Sequence, residues 1–253
     1  MIDIHNHILP AVDDGSKSIA ESIEILKQAK KCGITDIIIT PHYINGSTYQ
    51  ADTKILKSKL EELKKESKKE NIDINLYLGN EVFIEYNLLE LLNNNEFTTL
   101  NDSKYLLFEF SMNNYYQGIN ELLFNLKSNK IVPIIAHPER YSFIQNNPLL
   151  LNDLLAHGAL LQLDVGSFFG KYGSQAKKIA KLILKHNMAS FIATDIHHSK
   201  DDLYEKMSIL NKTYEKNNID KLLSNSPKKV INNEDLPELD YTNINKTFFN
   251  KYK

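Results

Sequence analysis

The first ten residues, Met1 to Pro10, read MIDIHNHILP and set a pattern that recurs through the chain. The short run Ile2 to Ile4 is typical of a buried strand, and two histidines follow at its C-terminal end. Side chains two residues apart in extended chain point the same way, so His5 and His7 can bind one ion together. The opening segment therefore predicts a strand that presents metal ligands at its carboxyl end.

Strand-like and helix-like segments alternate along the rest of the chain. Six further apolar runs are typical of buried strands: Asp36 to Thr40, Ile74 to Leu78, Tyr105 to Phe110, Val132 to Ala136, Ala159 to Leu163 and Ser190 to Ala193. Helical periodicity lies between them, over Ser18 to Lys31, Thr53 to Lys69, Ile119 to Leu126, Leu149 to His157 and Ala176 to His186. This alternation predicts parallel strands with helical crossovers, and seven strands favour a distorted, TIM-like (β/α)7 barrel of the α/β class.

A histidine or an acidic residue follows almost every predicted strand, at the end that carries chemistry in barrel enzymes. These residues are His5, His7, His42, Glu81, Glu109, His137, Asp195 and His197, while strand six offers no clear counterpart. Imidazoles and carboxylates suit divalent Mn, Fe or Zn, and the single cysteine, Cys32, excludes a thiolate-rich site. So many ligands exceed the needs of one ion, and without cations their charges would repel, so we expect two or three metals.

An isolated His-x-His or Asp-x-His pair is a weak signal, and the argument depends on the whole set lying at equivalent strand ends. His157 and His186 fall in the last turns of predicted helices, where an imidazole favours the helix dipole, so we leave them out. His198 faces away from His197 by strand alternation. It is expected to be a surface residue, with contact to substrate as the alternative.

Bulk properties favour one globular domain over residues 1–253, with a loosely packed tail over residues 225–253. The formal net charge of −2 provides no basic field for nucleic acid or for an anionic membrane surface. No stretch has the apolar length of a membrane span, and the N-terminus lacks the features of a signal peptide. We therefore expect a cytoplasmic protein without membrane insertion.

Longer motifs around the strand ends resemble those of a known superfamily. The motifs are His5-Asn-His7 with Asp13-Asp14-Gly15, Thr40-Pro41-His42, Gly79-Asn80-Glu81, Glu109-Phe110-Ser111, His137-Pro138-Glu139-Arg140 and Asp195-Ile196-His197. Together they resemble the polymerase-and-histidinol-phosphatase (PHP) superfamily. Within it, the chain is most similar to the bacterial manganese-dependent protein-tyrosine phosphatases of the capsule and exopolysaccharide type, over Met1 to about Pro227.

The resemblance implies a PHP-fold barrel with three divalent metal ions, expected to be Mn, with Fe or Zn as the alternatives. By analogy, one ion is held by His5, His7, Glu81 and Asp195. Glu81 also bridges to a second ion with Glu109 and His137, and a third is held by Asp14, His42 and His197. Asp14 enters only through the resemblance, because it lies in a loop beyond strand one.

The implied reaction is hydrolysis of protein phosphotyrosine through attack of a metal-bound hydroxide on phosphorus. The expected partner is the Tyr-rich tail of an exopolysaccharide tyrosine kinase. Arg140 is the candidate phosphate clamp, since a guanidinium matches two phosphoryl oxygens, and its alternative is a surface pair with Glu139. Asp13 and His198 are the candidate proton donors, although a phenolate leaving group needs little acid help.

Three other functions stay open from the sequence. They are a PHP-fold phosphatase of histidinol phosphate or a sugar phosphate, a PHP-type nuclease, and a binding module in which the metal cluster is only structural. Lone Cys32 lies near a helix end without a Cys-x5-Arg loop, so the sequence does not predict a cysteine-based phosphatase.

Overall fold

The structure is a computed structural model that describes residues 1–213, 219–246 and 252. Two sheets are built from strands that pair in parallel. The first contains, in spatial order, β1 (Ile2–Asp3), β2 (Asp36–Ile39) and β4 (Asn75–Leu78). The second contains β3 (His42–Tyr43), β5 (Glu81–Phe83), β6 (Tyr105–Glu109), β7 (Val132–Ala136), β8 (Leu160–Asp164) and β9 (Phe191–Ala193).

The two sheets together follow the order of a barrel with seven strand positions. β3 continues β2 beyond Thr40-Pro41, and β5 continues β4 beyond Gly79-Asn80, so each pair shares one position. Backbone hydrogen bonds join the ends of β1 and β9, from His7 N to Ile196 O (2.9 Å) and from Asp195 N to His5 O (2.8 Å). This arrangement agrees with the predicted distorted (β/α)7 barrel, to which it adds the two short continuation strands.

Helices connect the strands and cover the outside of the barrel. They are α1 (Ile19–Lys31), α2 (Thr53–Lys69), α3 (Leu88–Asn93), α4 (Ile119–Ser128), α5 (Ser142–Asn146), α6 (Leu150–Ala156), α7 (Val165–Phe169), α8 (Gly173–Lys185), α9 (Leu203–Thr213) and α10 (Ser226–Ile231). Side-chain hydrogen bonds cap the N-terminus of α1. The Ser18 side chain accepts a hydrogen bond from Glu21 N, and Glu21 Oε2 accepts one from Lys17 N. Among the described residues, no helix is long and apolar enough to cross a membrane.

Alternate residues of the strands feed two separate apolar clusters. Leu107, Ile134 and Phe191 belong to a smaller cluster that fills the barrel interior, and Leu106 and Ile135 belong to the larger one under the helices. This division follows from the twofold alternation of side chains along a strand. Most of the predicted metal ligands stand directly after the apolar strand runs, at their carboxyl ends.

The described part of the predicted tail contacts the barrel helices at Thr242 and Ile244. Ile244 is fully buried, and its backbone forms two hydrogen bonds of 2.9 Å with the Asn152 side chain of α6. Thr242 N donates to His186 O at the end of α8. Residues 247–251 and 253, which the prediction also covered, lie outside the described residues.

Candidate metal centre

The predicted ligands converge at the carboxyl ends of the strands. Within the described residues, their ligand atoms form three groups in which the atoms lie within 4.8 Å of one another. The groups are His5, His7, Glu81 and Asp195; His42, Glu81 and Glu109; and His7, Asp14, His42 and His197. Glu81, His7 and His42 each belong to two groups, so the groups form one continuous cluster.

The first group is the most deeply buried. The Nε2 atoms of His5 and His7 lie 3.4 Å apart, and each lies 3.2 or 3.3 Å from one oxygen of Glu81 and from Asp195 Oδ1. Atoms that share one ion at bond lengths of about 2.1 Å are separated by about 3 Å. The spacing in this group therefore suits a single divalent cation.

The second and third groups meet at His42. Its Nδ1 lies 3.0 Å from Glu81 Oε2 and 3.3 Å from Glu109 Oε1, while its Nε2 lies 3.5 Å from Asp14 Oδ1. His197 Nε2 approaches the same Asp14 oxygen at 3.6 Å. A neutral imidazole has one free lone pair, so His42 can serve only one of the two groups at a time.

His137 is the one predicted ligand outside these groups. Its Nε2 lies 2.9 Å from Glu81 Oε1 and 4.0 Å from Glu109 Oε2, which leaves it beside the second group. The backbones of His137 (φ 33°) and Asp195 (φ 51°) are both left-handed. Such conformations are costly for residues other than glycine and cluster at functional sites, where the surrounding structure enforces them.

Hydrogen bonds to the far side of the imidazoles fix which nitrogen faces the cluster. Gln162 Nε2 donates to Leu163 O, so its Oε1 accepts from His5 Nδ1 at 2.8 Å. Asp13 Oδ2 accepts from His7 Nδ1 at 2.7 Å, and Asp195 O accepts from His197 Nδ1 at 2.9 Å. In each case Nε2 faces the cluster and has a free lone pair when the imidazole is neutral, which is the usual support for a metal-ligating histidine.

The loop after β1 brings Asp13 and Asp14 to the cluster. A side chain at Gly15 would have its Cβ only 2.0 Å from His7 O, so this close approach requires glycine. Gly15 N donates to Asp13 Oδ1 (2.9 Å), and His42 N donates to Asp13 Oδ2 (3.0 Å). Asp13 Oδ2 thus holds two ligand residues, His7 and His42, and Oδ1 holds the loop at Gly15. Asp14, which is half exposed, points to the third group.

Several buried polar atoms of the cluster have no hydrogen-bond partner, and this indicates whether the residues could hold metal ions. Asp14 Oδ1, His42 Nδ1, Glu81 Oε2 and Asp195 Oδ1 have no such partner, although each faces one of the three groups. Buried polar atoms are nearly always satisfied, and an ion is one of the few explanations for a cluster of exceptions. The donor set of imidazoles and carboxylates therefore fits divalent cations.

The raised pKa values of two histidines show that the carboxylates of the cluster attract positive charge. Burial opposes protonation of His5, but the carboxylates of Glu81 and Asp195 outweigh it and raise the pKa of His5 to about 9. Burial and the neighbouring His7 lower the pKa of His42. Glu81 and Glu109 outweigh both effects, and the pKa of His42 rises to about 10. Without cations, the carboxylates thus favour the protonated form of His5 and His42, whereas burial lowers the pKa of His137 and of His197 to about 4.

The predicted proton donors and phosphate clamp lie around this cluster. Arg140 Nη1 donates to Asp195 Oδ2 at 2.5 Å, and its side chain is 19% exposed. The alternative pair of Arg140 with Glu139 is not observed, because Glu139 is fully buried and accepts hydrogen bonds from Asp164 N and Ser167 Oγ. His198 lies at the rim, with Nδ1 3.4 Å from Glu21 Oε1.

Comparison with known proteins identifies the family. A family model described as capsular polysaccharide synthesis, CpsB/CapC, matches residues 1–232. The chain belongs to the CpsB/CapC family. This membership confirms the resemblance that the sequence motifs indicate.

Curated relatives of this family carry consistent names. The chain is 43% identical to a putative tyrosine-protein phosphatase CapC of Staphylococcus aureus, over 78% of this chain and 77% of the relative. It is 38% identical to the tyrosine-protein phosphatase YwqE of Bacillus subtilis, over 79% and 78% of the two chains. The tyrosine-protein phosphatase CpsB of Streptococcus pneumoniae is 32% identical, over 91% and 98%.

Solved structures support the same assignment. A crystal structure from work on YwqE of B. subtilis and CpsB of S. pneumoniae, described as metal-dependent tyrosine phosphatases, has a TM-score of 0.89 at 31% identity. The match covers 97% of this chain and all of the other. The phosphotriesterase of Mycobacterium tuberculosis, with a TM-score of 0.54 and 9% identity over 91% and 93% of the two chains, shares the barrel fold alone.

Proposed function

We propose that this chain is a metal-dependent protein-tyrosine phosphatase that uses three divalent cations. The observation that carries the proposal is the convergence of predicted ligands into three overlapping groups at the carboxyl ends of the strands. Membership of a family whose relatives are named tyrosine-protein phosphatases supports the substrate class. The proposed substrate is phosphotyrosine in the tail of a capsule or exopolysaccharide tyrosine kinase.

Each group would hold one cation. Glu81 would bridge the first and second cations, and Glu109 would complete the second with His42 or His137. Asp14 and His197 would hold the third, together with His42 or His7. Oxygen ligands at Asp14 and Glu109 favour harder ions, so we expect Mn or Fe in preference to Zn.

Once bound, divalent cations would neutralise the carboxylates and lower the pKa of water so that it can attack phosphorus near neutral pH. The protein's own residues would orient the substrate around this centre. Arg140, beside Asp195, would bind phosphoryl oxygens, because a planar guanidinium matches two of them at once. His198 is the remaining candidate to protonate the leaving phenolate, since the oxygens of Asp13 are taken up by His7, Gly15 and His42.

An aromatic side chain at the rim supports an aryl phosphate as substrate. The ring of Tyr49 stacks on His42, with centroids 5.8 Å apart and planes inclined by 19°. The loop that carries it is closed by a hydrogen bond from Ile44 N to Tyr49 O (3.1 Å). Tyr49 thus offers a fixed aromatic face at the edge of the metal cluster, against which a phenyl ring can pack.

The test compares substrates with the same metal-loaded protein. After loading with Mn, we expect much higher kcat/KM for phosphotyrosine peptides than for phosphoserine peptides, histidinol phosphate or a sugar phosphate, and no hydrolysis after treatment with a chelator. Anomalous scattering at the Mn and Fe edges would count and identify the ions. Preference for a metabolite, degradation of DNA, or full activity without metal would contradict the proposal.

A further inference from the structure

Asp164, at the carboxyl end of β8, is a fully buried acid for which the proposed mechanism gives no role. Its Oδ1 accepts a hydrogen bond from Gly166 N at 2.6 Å, and the Tyr172 side chain lies beside the same carboxylate. Its Oδ2 has no hydrogen-bond partner and lies 3.6 Å from Arg140 Nη1. The carboxylate therefore faces the guanidinium of the candidate phosphate clamp.

Three groups surround the Arg140 guanidinium. Asp195 Oδ2 accepts from Nη1 on one side, Asp164 approaches Nη1 from another, and the Tyr172 ring lies 4.2 Å from Cζ across the face. Within the described part of the chain, the polar contacts of this guanidinium all involve Nη1. Nη1 thus faces both carboxylates, and the Tyr172 ring over Cζ restricts the plane in which the guanidinium can lie.

The backbone around this contact is also fixed. Glu139, next to Arg140, is fully buried, and its Oε1 accepts from Asp164 N (2.8 Å) and from Ser167 Oγ (2.7 Å). The short helical turn Pro138–Arg140 is thereby tied to the end of β8 and the start of α7. Both ends of the contact between Arg140 and Asp164 are held in place.

We propose that Asp164 and Tyr172 are positioning residues that hold the Arg140 guanidinium in the orientation that binds the phosphoryl group. The inference rests on the proposed function, because it assigns Arg140 the phosphate. Asp195 and Asp164 both approach Nη1, so with the Tyr172 ring they restrict the guanidinium to one orientation. A side chain ordered in this way loses little further conformational freedom when the ligand binds.

The experiment measures the Kd of inorganic phosphate for the Mn-loaded full chain by calorimetry, with bound metal counted by mass spectrometry. Asp164→Asn should raise this Kd by roughly tenfold, as for loss of one charge-assisted contact. Tyr172→Leu should raise it roughly fivefold through loss of the stacked ring, and Tyr172→Phe by less, because the ring remains. Metal content should not change, and KM for a phosphotyrosine peptide should rise more than kcat falls.

A matched control is Tyr105→Phe, which removes a tyrosine hydroxyl that donates to Glu234 O (2.6 Å), away from the cluster. This variant should leave the phosphate Kd unchanged. In an Arg140→Ala background, Asp164→Asn and Tyr172→Leu should have no further effect, since positioning residues act only through Arg140. Comparing each variant with and without Arg140→Ala still tests the inference if one variant folds poorly, because Asp164 and Tyr172 can be tested separately.

An unchanged phosphate Kd in both Asp164→Asn and Tyr172→Leu would overturn the inference. The inference would also be overturned if a loss of bound metal accounted for the weaker phosphate binding, since Asp164 would then act through the metal ligand Asp195. Phosphate binding does not require turnover, so the two proposals can fail separately. If phosphotyrosine peptides are not hydrolysed but Asp164→Asn still weakens phosphate binding through Arg140, only the substrate assignment is wrong.

Discussion

Replacing Asp13 by Asn tests whether this carboxylate holds metal ligands in place or donates a proton to the leaving group. Asp13 accepts hydrogen bonds from His7 Nδ1 (2.7 Å), His42 N (3.0 Å) and Gly15 N (2.9 Å). Burial raises the pKa of Asp13, but the charge of His7 and these hydrogen bonds outweigh it and lower the pKa to about 2. A carboxylate with this pKa carries no proton to donate at neutral pH.

The expected effect of Asp13→Asn follows from the lost contact with His7. An amide can still accept from Gly15 N through its oxygen, but its nitrogen cannot accept from His7 Nδ1 or His42 N. A hydrogen bond to a charged group contributes about 1.5–3 kcal/mol, and loss of such support for a metal-ligating histidine costs roughly 10- to 100-fold in metal affinity. We therefore expect Mn affinity to fall by that factor.

The assay has two parts. Mn affinity is measured by competition with a chromogenic chelator, and kcat is measured at saturating Mn for aryl phosphates whose leaving groups differ in pKa. Rates should recover largely at high Mn and should fall equally for good and poor leaving groups. Asp36→Asn, at the amino end of β2, is the control and should change neither quantity. Unchanged Mn affinity, with a rate loss that grows with leaving-group pKa, would refute the positioning role and restore Asp13 as the acid.

Further predictions concern the bridge, the protons and the tail. Glu81→Gln should remove more than one metal per chain, because Glu81 belongs to two groups, whereas Asp14→Asn should remove at most one; elemental analysis of the desalted proteins would distinguish these outcomes. Mn binding should release protons and strengthen as pH rises toward 9, since the pKa values of His5 and His42 are raised to about 9 and about 10 without metal; binding enthalpies that do not depend on buffer ionisation would contradict this. Ile244→Ala should lower the free energy of unfolding by about 2–5 kcal/mol in denaturant titrations, and a loss near zero would mean that the tail does not pack as described.

The ligands that were predictable from sequence share a local signal. His5 with His7, and Asp195 with His197, stand two residues apart at strand ends, so strand alternation predicts that each pair shares one side. At Asp195 the backbone is left-handed, so alternation alone does not place the second pair. His42 follows the Pro that ends its strand, and its position could be inferred in the same way. Asp14 has no such signal, since it depends on the close approach of Gly15 to His7, and it entered the prediction through family resemblance only.

What the sequence did not reveal depends on contacts between distant segments. Gln162 supports His5 across 157 positions of the chain, and nothing near either residue indicates the pairing. Ile244 lies in an Asn-rich stretch without periodicity, and its burial depends on Asn152, 92 positions away. Strands β3 and β5, of two and three residues, are too short for a hydrophobic pattern, and they exist because neighbouring strands provide their hydrogen bonds.

The contacts made by β8, the sixth predicted strand, explain why the sequence offers no clear metal ligand there. Gln162 and Asp164 stand two residues apart on β8, so both point to the same side of the strand, toward the cluster. Gln162 fixes the imidazole of His5, and Asp164 faces the guanidinium of Arg140. A strand that supports both the metal ligands and the phosphate clamp needs polar side chains at these two positions that reach His5 and Arg140. Neither side chain needs to contact an ion. The missing ligand is therefore consistent with strand six as a support for its neighbours, and Gln-x-Asp at a strand end is the signal that could have indicated it.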